Sequence, residues 1–437
     1  MIRKSCFLFV LLPLLWSCTR RSPEREPSDT TTTESATPAP PRQTAVRIDT
    51  VNVFLEVSGS MKGFMPKQSR ANRFQETVAD LLSGVENADR VRVRNYRLLG
   101  STDRPMSYET VQNDLLKSNF NYTTTSPLAE LLKNVANQAF NTNTVNLIIS
   151  DFIYDSPQTS RSSLVRTEMR DIFADARRQG LAVSILGFTS DFYGKYFPAR
   201  KEGQKVIQLD GEEVPYYVWV IGAPAQVRYL EGELKNNLRQ EPNTVHVGFA
   251  YETPDFSIIP GSARTGSWYC ADRGEACATI TLDKAKTLKQ EQPEFTIGLA
   301  TTDLPGDLTT TDYLKKNLHL DPQNCAAELV DVMTREDVMQ GDVNARDRDR
   351  LRQYDRFVRL KVTDLYDEKK PGVITLSLPN ASPAWIEAWT TQNDQTIAEG
   401  GPKTYLFSDM IAGLHEAYGE REEGEAFQLQ TQVEVGR

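Results

Sequence analysis

Histidine is nearly absent from this chain: three residues in 437, at positions 246, 319 and 415. Hydrolysis by an activated serine needs a base beside the nucleophile. None of the three falls within the first 240 residues, and Ser58 lacks a Gly-x-Ser-x-Gly setting. A Gly-x-x-x-x-Gly-Lys phosphate loop is missing as well. Glu56 has no paired acid two positions on, because Ser58 stands there. These absences together argue that the chain is not an enzyme. Positive charge is also in deficit: 50 Lys and Arg against 59 Asp and Glu give a net charge of −9. Nucleic-acid binding needs concentrated Lys and Arg, so no nucleic-acid partner is expected. Cysteine is sparse, with five in all. Cys270 and Cys277 flank the turn-like Asp272-Arg-Gly274 and are expected to close a small disulfide in an oxidising compartment. A zinc site would need more ligands at suitable spacing.

Long apolar runs are missing after the first 17 residues. Within those residues, Arg3 and Lys4 precede a mostly apolar stretch from Cys6 to Trp16. That is the layout of a secretory signal peptide, too short for the roughly 20 residues a membrane span takes. Leu15-Trp16-Ser17-Cys18 resembles a bacterial lipobox, which implies a lipid on Cys18 and attachment to a membrane. The alternative is ordinary signal cleavage with Cys18 incidental. The expectation is a bacterial cell-envelope lipoprotein, anchored in the outer membrane. Residues 18–46 are rich in Pro, Ser and Thr and read as a disordered tether.

What the body of the chain does have is alternation. Residues 47–240 read as strand and helix in turn: strands at Val51–Val57, Val91–Leu99, Val145–Ile149, Leu181–Phe188 and Tyr216–Ile221. Helices are expected at Asn72–Val85, Leu128–Phe140, Ser163–Arg178 and Ala225–Leu238. Such alternation implies an α/β fold with a doubly wound, mostly parallel sheet. In sheets of this kind, ligands bind beyond the carboxyl ends of the strands. Three segments end there in acids and hydroxyls: Glu56-Val-Ser58-Gly-Ser60, the Thr123–Leu132 stretch and Ser150-Asp151.

This arrangement resembles the von Willebrand factor A (VWA) domain and its metal-ion-dependent adhesion site. The family pattern is Asp-x-Ser-x-Ser after the first strand, a Thr before a helix, and an Asp after a later strand. Ser58, Ser60 and Asp151 match it, and Ser126 takes the Thr place, with Thr125 as second choice. Glu56 stands where the family has Asp. The resemblance implies a Rossmann-like fold and a divalent ion, Mg2+ or Mn2+, at Glu56, Ser58, Ser60, Ser126 and Asp151. It also implies a protein partner that offers an acidic group to that ion. Two alternatives stay open. Ser58, Gly59 and Ser60 could form a tight turn and cap the next helix without any ligand. The chain could also be a structural module of an envelope assembly whose metal site is degenerate.

Two further expectations complete the sequence picture. Asp210-Gly211 between alternating runs signals a hairpin. Phe192, Tyr193, Tyr196 and Phe197 would leave a strand end on the same rim and border a partner surface, or else pack the hairpin onto the domain. From about residue 241 the period shifts towards two, with strands at Thr244–Tyr251, Ala278–Leu282, Glu294–Ala300, Phe357–Val362, Gly372–Leu378 and Phe427–Val435. Residues 241–437 therefore read as an antiparallel β-sandwich decorated by a helix at Ser408–Tyr418. The alternating charges of Asp342–Arg352 read as a solvated loop or helix face.

Overall fold

The computed structural model describes residues 46–436, except 68–70, 101–102, 124–127, 139–142, 154–161, 201–202, 204, 250–252, 272–275, 284–290, 303, 305, 342 and 420–422. The leader, Cys18 and the tether lie outside the described residues. Among the described residues, no helix is long and apolar enough to cross a membrane.

The first apolar run folds as β1 (Ile48–Glu56), an interior strand of a seven-stranded sheet. Val51, Val53 and Leu55 turn to one face and Phe54 to the other, and all four are buried. The chain then alternates through α1 (Arg73–Asn87), β2 (Val91–Leu99), β3 (Asp103–Met106), α2 (Tyr108–Lys117), α3 (Leu128–Gln138) and β4 (Thr144–Ser150). It continues with α4 (Ser162–Arg178), β5 (Ala182–Tyr196), β6 (Ile207–Gly222), α5 (Pro224–Asn237) and β7 (Asn243–Val247). Asn72 starts α1 with a reciprocal cap: its side chain accepts from Gln75, whose side chain accepts from the Asn72 backbone. Phe74, Val78, Leu81 and Leu82 form the buried face of α1, packed on one side of the sheet with α5. Helices α3 and α4 cover the other side. Across β2, β1 and β4, Asn95 donates to Asn52 and Asn52 to Asn146, each at 2.9 Å. That ladder favours one register of the parallel strands, because a slip breaks both bonds.

The sheet is mixed rather than mostly parallel. Its order is β3-β2-β1-β4-β6-β5-β7, with β1 parallel to β2 and β4 and the remaining pairs antiparallel. The cause is β5, which runs on past Phe188 to Tyr196 and returns as β6 into the space beside β4. Strand β6 is apolar on both faces from Tyr216 to Ile221, so an interior position buries all of it.

Asp210-Gly211 is not the hairpin tip. Phe192 pairs with Glu212 and Tyr193 with Asp210, which leaves Gly211 as a bulge at φ +105°. The conformational freedom that makes Asp-Gly a turn signal serves a bulge equally well. The strand direction reverses between Tyr196 and Ile207 instead.

The later half of the chain builds two more sheets facing one core. Strands His319–Gln323, Gly372–Ala381, Glu423–Val435, Thr279–Leu282 and Trp268–Cys270 form one, and Cys325–Thr334, Arg356–Leu365, Glu294–Leu299 and Phe256–Ile259 the other. Phe295, Leu360, Leu376 and Leu429 from both sheets meet in that core. One pair, Thr279–Leu282 with Glu423–Val435, is parallel, so this sandwich is not wholly antiparallel. Cys270 and Cys277 are disulfide-bonded, and Cys325 is a free, buried thiol.

Two expectations for this half are corrected. The strand placed at Thr244–Tyr251 is β7, an edge of the first sheet, paired to β5. The helix Phe407–Tyr418 does not decorate the sandwich: Phe407, Met410, Ile411 and Leu414 pack with Phe173 of α4 and Trp219 of β6. The charged stretch is mostly exposed, as expected, although within it Asp347 is buried, accepting from the Gly261 amide at 2.9 Å and the Ser262 hydroxyl at 2.7 Å.

Candidate functional site

At the carboxyl end of β1 the chain leaves the sheet under tight backbone control. The Val57 amide donates to Leu99 at the end of β2 (2.8 Å), and the Thr123 amide donates to the Val57 carbonyl (3.0 Å). Ser58 and Thr123 thereby form a parallel bridge. Two strand ends and the segment before α3 are zipped around one loop.

The two hydroxyls of that loop point at each other: Ser58 Oγ and Ser60 Oγ are 2.8 Å apart. Neither caps a helix. The short 3-10 turn Ser60–Phe64 has Gly59 as its cap without a side-chain bond, and α1 starts later with its own Asn72. Gly59 sits at φ −61°, an ordinary right-handed conformation, so the loop is not a strained glycine turn either. The helix-capping role expected of Ser-Gly-Ser is therefore not what the chain adopts.

Asp151, at the end of β4, is 2% exposed. Its Oδ1 accepts from the Ile153 amide at 3.0 Å, while Oδ2 is buried with no hydrogen bond. Burial pushes its carboxyl above the usual range; the Ser60 hydroxyl, then the Ile153 amide, pull the other way. Ser60 thus stands beside the acid without closing a bond on Oδ2. The structure brings Ser58, Ser60 and Asp151 together. Ser126 and Thr125 lie outside the described residues, and it is Thr123 that is seen beside Ser58.

Glu56 is also buried, and its Oε2 accepts the Ser150 hydroxyl. Ser150 Oγ in turn accepts from the Phe152 amide at 2.8 Å. Phe152 has φ +49°, a left-handed conformation rare for an aromatic residue. Its ring stacks on Trp219 with centroids 4.5 Å apart and planes 13° from parallel. Strain of this kind persists only where neighbours over-determine it, and it concentrates at functional sites.

Set against known protein families, curated proteins and solved structures, the chain matches none. The site therefore rests on its own geometry. Adjacent ligands of an octahedral ion at about 2.0–2.1 Å lie roughly 3.0 Å apart, close to the separation of the two serine oxygens. Ser58 Oγ and Ser60 Oγ, with the Asp151 carboxyl beside Ser60, are oxygen donors of the kind a hard cation takes. Among the described residues, no group of three or more His, Cys, Asp or Glu could hold a metal. A bound ion would thus rely on hydroxyls, one acid and water, as Mg2+ commonly does.

Of the four aromatic residues expected on the rim, two are not there. Phe192 and Tyr196 are buried in the core of the seven-stranded sheet. Phe192 lies flat against Gly63, where an added Cβ would fall 2.1 Å from its ring, and it meets Phe64 edge-on at 5.0 Å. Tyr193 is half-buried over the Gly211 bulge. Phe197 alone is exposed, at 39%, and its ring edge is 3.8 Å from where a Gly59 Cβ would stand.

Two acids escaped sequence reasoning. Asp394, from the C-terminal half, is fully buried and accepts from the Ala199 (2.6 Å) and Arg200 (3.2 Å) amides and from the Tyr196 hydroxyl. No motif marks it. Glu231 of α5 gathers the Ser184 hydroxyl (2.7 Å), His246 Nε2 (2.9 Å) and Lys235 Nζ (2.8 Å). His246 belongs to β7 and so to the first sheet, contrary to its expected place in the sandwich. Ser184 bonds the acid rather than the imidazole, so the three do not form a serine–base pair.

Proposed function

We propose that the chain is a membrane-anchored lipoprotein of the bacterial cell envelope whose VWA-like portion binds a protein partner through an acidic group. Ser58, Ser60 and Asp151, with Ser126 as a further candidate, would hold Mg2+ or Mn2+. A bound divalent ion supplies a positive centre that a partner carboxylate can complete. The chain's own residues prepare that centre. The Val57–Thr123 zipper fixes the hydroxyl pair, and the Glu56–Ser150–Phe152 chain of bonds fixes the backbone on either side of Asp151. Lys62, exposed two residues beyond Ser60, adds positive charge to the lip and suits an acidic visitor.

The observation that carries this reading is Asp151 Oδ2: a buried carboxylate oxygen without a hydrogen bond, on an acid beside the Ser60 hydroxyl, which itself meets Ser58. Leaving a buried acceptor unpaired costs about 1–3 kcal/mol, and more for a charged one. A cation at that point removes the cost. Titration calorimetry of the full chain with Mg2+ and Mn2+ tests it. Saturable heat that disappears in Asp151→Ala is expected; no heat in either protein ends the metal reading.

A second reading has its own support. Glu56 spends one oxygen on Ser150, so the acid at the family's first position is engaged in holding β4. That favours a structural module with a degenerate site, and it would show as partner capture insensitive to chelator.

A further inference from the structure

Phe197, the one exposed aromatic recorded beside the hydroxyl loop among the described residues, is bracketed by two residues held on a single carboxylate. Tyr196, just before it, is buried and donates its hydroxyl to Asp394. Ala199, two residues after it, is buried and donates its amide to Asp394 at 2.6 Å, and the Arg200 amide follows at 3.2 Å. Gln395 Nε2 adds a bond to the Arg200 carbonyl at 3.0 Å. Asp394 comes from a 3-10 segment almost 200 residues later, whose Ile397 is seated in the core of the seven-stranded sheet. A fully buried carboxylate spent on two consecutive amides is a strong clamp, because charge-assisted bonds are roughly twice as strong as neutral ones. Keeping a large ring in partial contact with water, above a serine loop, runs against apolar burial unless something else covers it.

We infer that Phe197 is the apolar wall of the Ser58–Ser60–Asp151 site and that Asp394 is its positioning residue, so that the preferred partner carries an apolar side chain next to its acidic group. The inference rests on the acidic-partner reading above and adds a specificity to it. Lys62 on the short 3-10 turn offers charge to the acid, while Phe197 on the β5 exit offers surface to the neighbour of that acid. The C-terminal half takes part in recognition by setting where Phe197 stands, not by touching the partner.

Two short probes on the Mg2+-loaded full chain test this: acetyl-Phe-Glu-amide and acetyl-Gly-Glu-amide, each titrated calorimetrically at millimolar concentration. The wild-type protein should prefer the Phe probe by about tenfold, the scale of one added apolar contact in a site. Phe197→Ala should erase that preference. Asp394→Asn should erase most of it while keeping Mg2+ affinity within about twofold, a split that general loss of structure would not give. If Asp394→Asn does not fold, Gln395→Ala loosens the same corner and should give a smaller loss of preference. Equal binding of both probes by the wild type overturns the wall and leaves the acidic-partner reading standing. Full preference retained in Asp394→Asn, or in Gln395→Ala where that variant is used, overturns the positioning role. Binding of neither probe overturns the acidic-partner reading and this inference with it.

Discussion

Two buried carboxylates in and against the first sheet have opposite fates. Glu231 is surrounded: Ser184, His246 and Lys235 all meet it within 3 Å. Burial pushes its carboxyl up, but His246 and then Lys235 outweigh burial and hold it well below the usual carboxylate range. Asp151 is equally deep, yet it has one amide on Oδ1, a nearby Ser60 hydroxyl and a bare Oδ2, and burial wins, so its carboxyl is pushed up. A buried acid with a full set of donors is a structural member. One that lacks them is held in a costly state by its surroundings, and such groups cluster where ligands bind.

The largest effect expected from breaking that contrast is at Glu231. Glu231→Gln should cost about 3–5 kcal/mol of unfolding free energy, because it leaves His246 and Lys235 beside a neutral group. Urea denaturation at pH 7 measures it. The pH dependence has a definite sign. The folded-state pKa of Glu231 lies below its unfolded value, so its contribution is fully present above about pH 4.5 and is lost as pH falls towards the folded pKa. The Glu231→Gln variant should therefore lose less stability than wild type between about pH 5 and pH 3.

Asp151 should behave in reverse. Its folded pKa is raised, so its relative contribution is greatest at low pH and is lost as pH rises through that value. Asp151→Asn should therefore be neutral or stabilising by about 1 kcal/mol at pH 7 in the absence of divalent ion. With Mg2+ at about 100 times its dissociation constant, the wild type should gain about 2.7 kcal/mol and the variant nothing. A large loss of stability in ion-free Asp151→Asn would place Asp151 with Glu231, as a structural acid. At an intermediate scale, Ser184→Ala removes one of the donors to Glu231 and should cost about 1–2 kcal/mol with no dependence on Mg2+.

The same contrast explains what could be read from sequence. The strand ends carrying Ser58 and Asp151 were legible because an apolar run that stops at a polar cluster has one meaning in an α/β sheet. The start of helix α1 was legible to within a residue because Asn72 and Gln75 form its cap locally. What failed depends on tertiary choices. The Asp210-Gly211 pair carries the same local signal in a turn and in a bulge, and only the length of β5 separates them. Strand β6 enters the sheet beside β4 because both its faces need cover, which alternation alone does not express. The helix Phe407–Tyr418 is amphipathic wherever it docks, and the uncovered face of the first sheet received it. Phe192 and Tyr196 are buried while Tyr193 and Phe197 are not, but a string with aromatic rings on both faces could not show which of them turn inward. Asp394 was invisible because its partners are remote in sequence, and Glu231 because its i,i+4 spacing to Lys235 is that of an ordinary helix-surface pair, while Ser184 and His246 come from separate strands.

The smallest stability change, and the sharpest comparison, is expected from Ser60→Ala. Ser60 is half-buried, and its hydroxyl meets Ser58 at 2.8 Å and favours the charged form of Asp151. If the hydroxyl pair were a structural device, its removal would cost about 1 kcal/mol, the worth of an ordinary hydrogen bond, whether or not an ion is present. If the pair is a cation site, ion-free stability should fall by less than that, because the lost bond is offset by relief of a desolvated hydroxyl. Mg2+ affinity should instead fall by about tenfold or more, with the Asp151 carboxyl pushed further up. The two quantities separate the cases: denaturation midpoints without divalent ion report the bond, and calorimetric titration reports the ligand. A drop in stability of the same size with and without Mg2+, alongside unchanged ion affinity, would make the serines part of the scaffold and return Ser-Gly-Ser to the role of a loop.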